Sequence, residues 1–423
     1  MDIELLTPER LAYWCDLIAV PPAATQDLAD LAVRIRTDAI LLQIFGDFHT
    51  KTALQGDWQR EWMDLPFDPA VQEKFGAQAS LFYLLAYLAA LPITWQSYQR
   101  LGVGLEIFKD TMLDFRFYIE DYHDLHGQWG YAHFAWIWLH LTCELFRLGR
   151  LQYMLIPFRG GVTAFRRCKG EASGTNHGEK GMGSVPDASP LLLADPELPL
   201  RSDGCAHGVG LPNGDKIPVG ADSWLPVFES TPQGWRGHPV NPRGFVEKAP
   251  VVLRAAEWEV ILQRGDTILD LHIPRKDPLN AQTCGASYAQ ALEFFQRVFP
   301  DRPGKALFCH TWMFSPQLQQ FLPPESNLVK FQREFYLYPH PGGVNFLWNF
   351  VFGAKYPDRA TAPRDTALRR AVLDWLETGG EIFDLPGVMF HAPAEWGVQP
   401  YMRRWEATPP PPTICPIAQS PIP

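Results

Sequence analysis

The chain predicts an α+β fold, with an all-helical N-terminal domain over 1–149 and a mixed sheet flanked by helices over 150–405. Three observations predict it. Apolar residues recur at helical spacing over most of 7–148. At Gly149 the period changes, and Leu151-Gln-Tyr-Met-Leu-Ile-Pro-Phe158 reads as an extended run beyond a helix stop. Over 266–339 the patterns alternate strand, helix, strand, helix, strand, the order of a layered α/β unit.

Bulk properties narrow the function classes. A chain of 423 residues, 46% of them hydrophobic, suits two or three globular domains. Net charge of -10 and a pI near 5.7 argue against nucleic acid or an anionic membrane as main partner, since neither polyanion would meet a broad basic surface. Seven scattered cysteines form no disulfide framework in a chain this long, and Met1-Asp-Ile-Glu-Leu-Leu6 lacks the basic and apolar regions of a leader. A reducing, cytoplasmic setting is expected. The apolar runs 81–91 and 131–146 are too short, or carry His133, His140 and Glu144, and are expected as buried helices rather than membrane spans.

In chain order, Thr7-Pro8-Glu9 opens the first helix with a cap, a proline at the first helical position and an acid at the positive dipole end. Leu11, Trp14, Cys15 and Ile18 mark its buried face, and Pro21-Pro22 stops it. Further helices are expected from Thr25, from Asp68-Pro69 to Pro92, over 105–126 and over 133–148. Residues 166–229 are rich in Gly, Pro, Ser and Asp and are expected to form a loop-rich, partly disordered insertion. Order is expected to return near Ser230, with a strand at 251–253 and a helix over 255–264 closed by Gly265-Asp266. Strand 267–274, helix 281–299, strand 305–312 and a strand over 328–335 follow, then a helix over 365–376 and a last extended segment at 382–390. The proline-rich tail 406–423 is expected to be disordered.

Four places carry candidate chemistry. Glu120 and His123, three apart on a helix, share a face in the manner of di-iron bundles, but no second pair accompanies them, and a polar helix end is the better reading. Cys168, His177, Cys205 and His207 match no zinc knuckle spacing, so no metal is expected. The start of helix 281–299, with Asn280 as cap and Arg275 and Lys276 in the connection before it, offers unpaired N–H groups and a positive dipole end to a phosphate. Finally, His310 stands where strand 305–312 ends and His272 lies near the end of the strand before, both placed for proton transfer near neutral pH. Alternation puts Trp312 on the face of His310, and Ser326-Asn327 form a polar turn or clamp at a strand mouth.

Taken together, Leu271-His-Ile-Pro274, Cys284, Ser287, Ala291 and Phe294-Phe295, Cys309-His-Thr-Trp312, Leu322-Pro323 and Ser326-Asn-Leu-Val-Lys-Phe331 resemble the bacterial acyltransferase-domain proteins that join a helical N-terminal domain to a GNAT-like C-terminal domain. The resemblance implies a GNAT-like mixed, twisted sheet whose fourth and fifth strands splay around the pantetheine of an acyl-CoA, with the pyrophosphate on the helix that follows the fourth strand. It implies strand 267–274 as the fourth strand and 305–312 as the fifth. Acetyl-CoA or another acyl-CoA would be the co-substrate, held by Ile273, Arg275, Lys276, Ala281, Gln282, Thr283, Cys284, Gly285 and Ser287. His310 or His272 would take the acceptor's proton, and Trp312, Ser326 and Asn327 would line the acceptor pocket. The implied reaction is N-acyl transfer to a small molecule or peptide. The glycine-rich Arg/Gln-x-x-Gly-x-Gly/Ala loop usual in GNAT enzymes is reduced to Gly285, which favours the alternative of a non-catalytic ligand-binding protein on the same fold.

Overall fold

The computed structural model describes residues 4–50, 69–168, 190–206, 223–275, 277–340, 346–353, 356 and 358–402. The chain divides into two compact units.

The first unit comprises Met1–Met154, Ile273–Arg275 and Glu293–Val298. Its helices are α1 (Pro8–Leu17), α2 (Pro22–Thr37), α3 (Ala39–His49), α4 (Pro69–Phe75), α5 (Ala79–Leu88), α6 (Leu91–Arg100), α7 (Leu105–His126) and α8 (Phe134–Leu141). Asp38 caps α3, its carboxylate accepting from the N–H groups of Ile40 and Leu41, and Gly127 in the left-handed region closes α7. The stretch Pro69–Arg100 is apolar and long enough by composition to cross a membrane, yet every residue of α5 is buried within the unit.

The expected helix over 133–148 ends early. After α8 the chain turns through Cys143 and forms β1 (Leu145–Leu148), which pairs antiparallel with β2 (Leu151–Pro157). Gly149, at φ 69°, is therefore a hairpin turn rather than a helix stop. All four residues of β1, Arg147 among them, are buried, and so uniformly buried a run has no period by which a strand differs from a buried helix. Asp114 of α7 sits under this hairpin, 4% exposed, and accepts from Trp136 Nε1 at 2.8 Å, Gln152 Nε2 at 2.9 Å and His140 Nε2 at 3.1 Å. These donors outweigh the burial that opposes ionisation, and the Asp114 pKa lies below its ordinary value.

The second unit comprises Leu155–His272, Lys276–Leu292 and Phe299–Pro423. Strands β3 (Val162–Arg167), β4 (Leu191–Ala194), β5 (Phe228–Thr231), β6 (Gly234–Gly237), β7 (Pro239–Val240), β8 (Val251–Arg254) and β9 (Trp258–Leu262) build two antiparallel sheets, ordered β7-β4-β3-β9 and β5-β6-β8. Phe165, Leu193, Leu253 and Trp258 form the core of this part.

The stretch expected as a loop-rich, partly disordered insertion contributes strand residues Arg166–Arg167 and all of β4, because Leu191-Leu-Leu-Ala194 pairs in register with β3; 169–189 and 207–222, with His177 and His207, lie outside the described residues, as does the proline tail. The expected helix over 255–264 is a turn followed by β9, in which buried Trp258 and Leu262 flank an exposed Glu259.

The remaining elements are β10 (Thr267–His272), α9 (Ala281–Val298), β11 (Leu307–Thr311), α10 (Leu318–Phe321), α11 (Asn327–Gln332), β12 (Tyr336–Leu337), α12 (Phe346–Val351), α13 (Ala367–Glu377) and β13 (Leu385–Met389). The strands run β10-β11-β13-β12, parallel between the first two and antiparallel thereafter, which gives the expected mixed sheet. The strand expected over 328–335 is the helix α11 and then an irregular stretch before β12. Ser326 caps α11 by accepting the Val329 N–H at 3.3 Å, and this cap decides between two readings of an ambiguous apolar pattern.

Candidate functional site

Within the second unit, β10 and β11 pair only through Leu269–Leu307 and Asp270–Phe308, although β10 continues to His272 and β11 to Thr311. The two parallel strands thus part at their C-terminal ends, where ligands of parallel sheets are held. Register places side chains on the two faces of the parting sheet. Asp270 is opposite Phe308, so Asp270, His272, Phe308 and His310 share one face. His310 is opposite Pro386, so Asp384, two residues earlier in the chain, joins that face at the approach to β13. Beyond β12 the Tyr338 N–H donates to the Pro386 carbonyl at 3.1 Å, and His340 follows two residues later. Three imidazoles and two carboxylates are therefore gathered at one end of one sheet face.

Each is positioned by the surrounding chain. The backbone before Asp384 is pinned by Trp375 Nε1 donating to the Glu381 carbonyl at 2.8 Å and by the Phe383 N–H donating to Ser315 Oγ at 3.0 Å. Arg201 binds the Glu381 carboxylate at 2.9 Å. The sheet itself packs closely here, for a Cβ on Gly387 would lie 2.9 Å from both Phe314 Cε2 and Phe335 Cβ.

The site holds two imidazole–carboxylate pairs of different character. His272 Nε2 lies 3.2 Å from Asp270 Oδ2, with 30% of the His272 side chain accessible. His310 Nε2 lies 3.3 Å from the Asp384 carbonyl oxygen and 3.6 Å from its Oδ1, with 29% of the His310 side chain accessible. Asp384 is 8% exposed, and neither carboxyl oxygen has a hydrogen-bond donor among the described residues. Burial alone pushes its pKa up to about 7. Burial, and next the His340 ring at 4.9 Å, lowers that of His310 to about 4. The Cys309 thiol is pushed well up by burial and then by Asp270 and Asp384, so it is no nucleophile at neutral pH.

The proposed phosphate helix starts as expected. Asn280 Oδ1 accepts the Thr283 N–H at 2.9 Å and its carbonyl accepts the Cys284 N–H at 3.1 Å. The N–H groups of Ala281 and Gln282 have no partner among the described residues and lie at the exposed positive end of α9. Cys284 and Ser287 are buried. Gly285 faces the turn Pro393–Glu395 and Trp396, where an added Cβ would lie 3.1 Å from Trp396 Cβ.

Other sequence candidates fall on other elements. Ile273 and Arg275 belong to the first unit, where Arg275 pairs with Asp121; Lys276 lies outside the described residues. Trp312 is buried in a 3-10 turn after β11, Asn327 is exposed and Ser326 serves as the cap of α11. Glu120 pairs with Arg116 and His123 stacks on Trp129, the polar helix end expected of them. Sequence reasoning missed Asp270, Asp384 and His340. A signal existed for the acids, since each interrupts an apolar run, in Ile268-Leu-Asp-Leu271 and Ile382-Phe-Asp-Leu385, and a buried acid requires an explanation.

Comparison with known proteins agrees with this geometry. Residues 145–389 match the model of the GNAT-like C-terminal domain, and residues 9–143 that of the N-acyltransferase N-terminal domain. No curated protein matches the chain. Among solved structures, an acyltransferase variant in complex with octanoyl-CoA is similar at 19% identity and a TM-score of 0.58, covering 90% of this chain and 88% of its own. An acyltransferase in complex with decanoyl-CoA and teicoplanin is similar at 20% identity and a TM-score of 0.58, covering 90% of this chain and 87% of its own. A third, in complex with CoA and 10C-teicoplanin, gives 19% and 0.58. The chain belongs to the acyltransferase family that joins an N-acyltransferase N-terminal domain to a GNAT-like C-terminal domain.

Proposed function

We propose that the chain is an acyl-CoA-dependent N-acyltransferase that runs its chemistry between the parted ends of β10 and β11. The observation that carries this reading is the end of the β10–β11 register at Asp270–Phe308, with two imidazole–carboxylate pairs beyond it. The acyl-CoA complexes of the similar structures support a coenzyme A thioester as co-substrate, and the teicoplanin complexes support a small-molecule or peptide acceptor.

In the proposed mechanism the pyrophosphate rests on the Ala281 and Gln282 N–H groups of α9. The acceptor amine attacks the thioester carbonyl and gives its proton to His272. The Asp270 carboxylate, with Oδ2 at 3.2 Å from Nε2, sets a negative charge beside the His272 ring. The imidazolium that forms is stabilised by Asp270 at 3.2 Å. A cytoplasmic setting is part of this reading; it suits the free cysteines, Cys15, Cys143, Cys168, Cys205, Cys284 and Cys309 among the described residues.

Coenzyme A at one hundred times its Kd should stabilise the fold by about 2.7 kcal/mol through mass action, and octanoyl-CoA should release free thiol when the chain and a reactive amine are present. No thermal shift at millimolar coenzyme A and no thiol release would together refute the reading.

A further inference from the structure

The first turn of α9 carries the phosphate contacts of the proposed mechanism, and the chain builds a wall against it. That wall is the turn Pro393–Glu395 with Trp396 and Gly397. A Cβ on Gly285 would lie 3.1 Å from Trp396 Cβ and 3.4 Å from the Pro393 carbonyl oxygen, and one on Gly397 would lie 3.6 Å from Ala281 Cβ. The wall thus lies against α9 at Ala281, which bears one of the two unpaired N–H groups, and again one helical turn later. A buried polar cluster holds it there. Glu334, between α11 and β12, is 1% exposed, and its Oε1 accepts the Gly397 N–H at 3.0 Å. Gly397 has φ 100°, a backbone that favours glycine. Glu334 Oε2 faces His391 Nε2 at 3.2 Å, and neither atom has a hydrogen-bond partner among the described residues. His391 Nδ1 lies 3.4 Å from the Tyr401 hydroxyl oxygen, which accepts the Phe390 N–H at 2.8 Å. The Trp396 ring sits among Tyr288 of α9, Phe331 of α11 and Phe335, with centroids 6.0, 5.9 and 6.2 Å away. An apolar residue at 334 would fill the same space without the desolvation that a buried acid suffers. What it would not supply is the grip on the Gly397 N–H.

We propose that Glu334 is a positioning residue for the acyl-CoA co-substrate. Through the Gly397 N–H it holds the 393–397 turn against the first turn of α9, and so fixes the Ala281 and Gln282 N–H groups where the pyrophosphate rests. The proposal rests on the acyl-transfer reading above and deepens it. Glu334 is buried and acts at one remove, through backbone that it pins rather than through contact with the co-substrate. Its loss should therefore weaken the hold on the nucleotide half of coenzyme A and leave the chemistry at the parted strands unchanged.

Thioesters with and without the nucleotide separate this role from a merely structural one. Octanoyl-CoA and S-octanoyl-pantetheine share the acyl group and the arm, and only the first carries a pyrophosphate. Thiol release with hydroxylamine as nucleophile gives KM and kcat for each. Glu334→Leu removes the acceptor at similar size and should raise the KM for octanoyl-CoA about 10-fold, roughly the contribution of one charge-assisted hydrogen bond. Its kcat, and its KM for S-octanoyl-pantetheine, should stay within about 2-fold of the parent. Glu334→Gln keeps an acceptor for the Gly397 N–H and should recover most of the loss. Glu395→Ala tests the same wall from an exposed position, where the carboxylate accepts the Ala392 N–H at 3.0 Å, and should raise the KM for octanoyl-CoA alone. If Glu334→Leu does not fold, the Glu395→Ala result decides. Equal losses with both thioesters, or an unchanged KM for octanoyl-CoA in the folded variants, would overturn the positioning role and leave the transfer reading standing. No thiol release from either thioester by the unaltered chain would overturn the transfer reading and this assignment with it.

Discussion

Replacing Asp384 by Asn should change stability in opposite directions at low and high pH. Burial raises the folded-state pKa of Asp384 from 3.8 to about 7. The folded chain therefore binds this proton more tightly than the unfolded chain, and the stabilisation is whole below pH 3.8 and is lost as pH rises through about 7. Three pKa units correspond to about 4 kcal/mol. His310 acts with the opposite sign, since its folded-state pKa falls from 6.5 to about 4, so its contribution grows as pH rises over that interval. In the unaltered chain the two slopes offset between about pH 4 and 6.5, and a net fall remains near neutrality. Asp384→Asn removes only the first slope. Its uncharged amide leaves buried donors without partners, at about 1–3 kcal/mol at every pH. The variant should thus be less stable than the parent at pH 4.5 and more stable at pH 8, and the difference between them should swing by about 3 kcal/mol. At roughly 2–4 °C per kcal/mol for a unit of this size, that is on the order of 10 °C in Tm. Calorimetry at the two pH values measures it. A Tm difference that stays constant with pH would refute the picture of a buried, unsolvated carboxyl.

Other perturbations test other parts of the structure. Asp270→Asn should leave the fold intact and reduce kcat with octanoyl-CoA by roughly 10²-fold, because the imidazolium at His272 loses its counter-charge; steady-state kinetics with an unchanged melting curve would verify it. Gly387→Ala places a methyl 2.9 Å from two phenylalanine side-chain carbons in the sheet and should cost about 1–3 kcal/mol in denaturant unfolding. Asp114→Ala strips Trp136, His140 and Gln152 of their shared acceptor and should destabilise the first unit by about 3–5 kcal/mol, read by hydrogen exchange in α7 and α8. Gly285→Ala should raise the KM for acyl-CoA more than it lowers kcat, since the added methyl meets Trp396 Cβ at 3.1 Å beside the first turn of α9.

The parts of the fold legible in the sequence are those with a strong period and clear punctuation. Asn280 and the spacing of Cys284, Tyr288, Ala291 and Phe295 fixed α9 to within a residue, and the helix expected over 365–376 matches α13 to within two residues. Legibility failed where burial on all sides erased the period, as in β1, or where the same apolar residues suited two periods, as in α11 and β9. Of the site, the two histidines were visible because strand ends are marked by composition. Their carboxylate partners were only half visible: the link between His310 and Asp384 spans 74 residues and exists only through the β11–β13 register. Chain separation of that order carries no local signal.

The short register between β10 and β11 has one more consequence. A sheet normally exposes unpaired backbone only at its rim, where charges, prolines and short strands keep stray segments from adding on. Here the frayed ladder lies between two interior neighbours, with β13 completing the far side of β11 and Pro386 opposite His310. A slender chain bearing its own amide groups would suit strands that part in this way. The pantetheine arm has that form, a narrow thread with two amides. The fold would then distinguish its co-substrate first by the width and amide spacing of the thread, before any contact with the nucleotide, and would reject short thioesters that lack the arm even when their acyl groups fit.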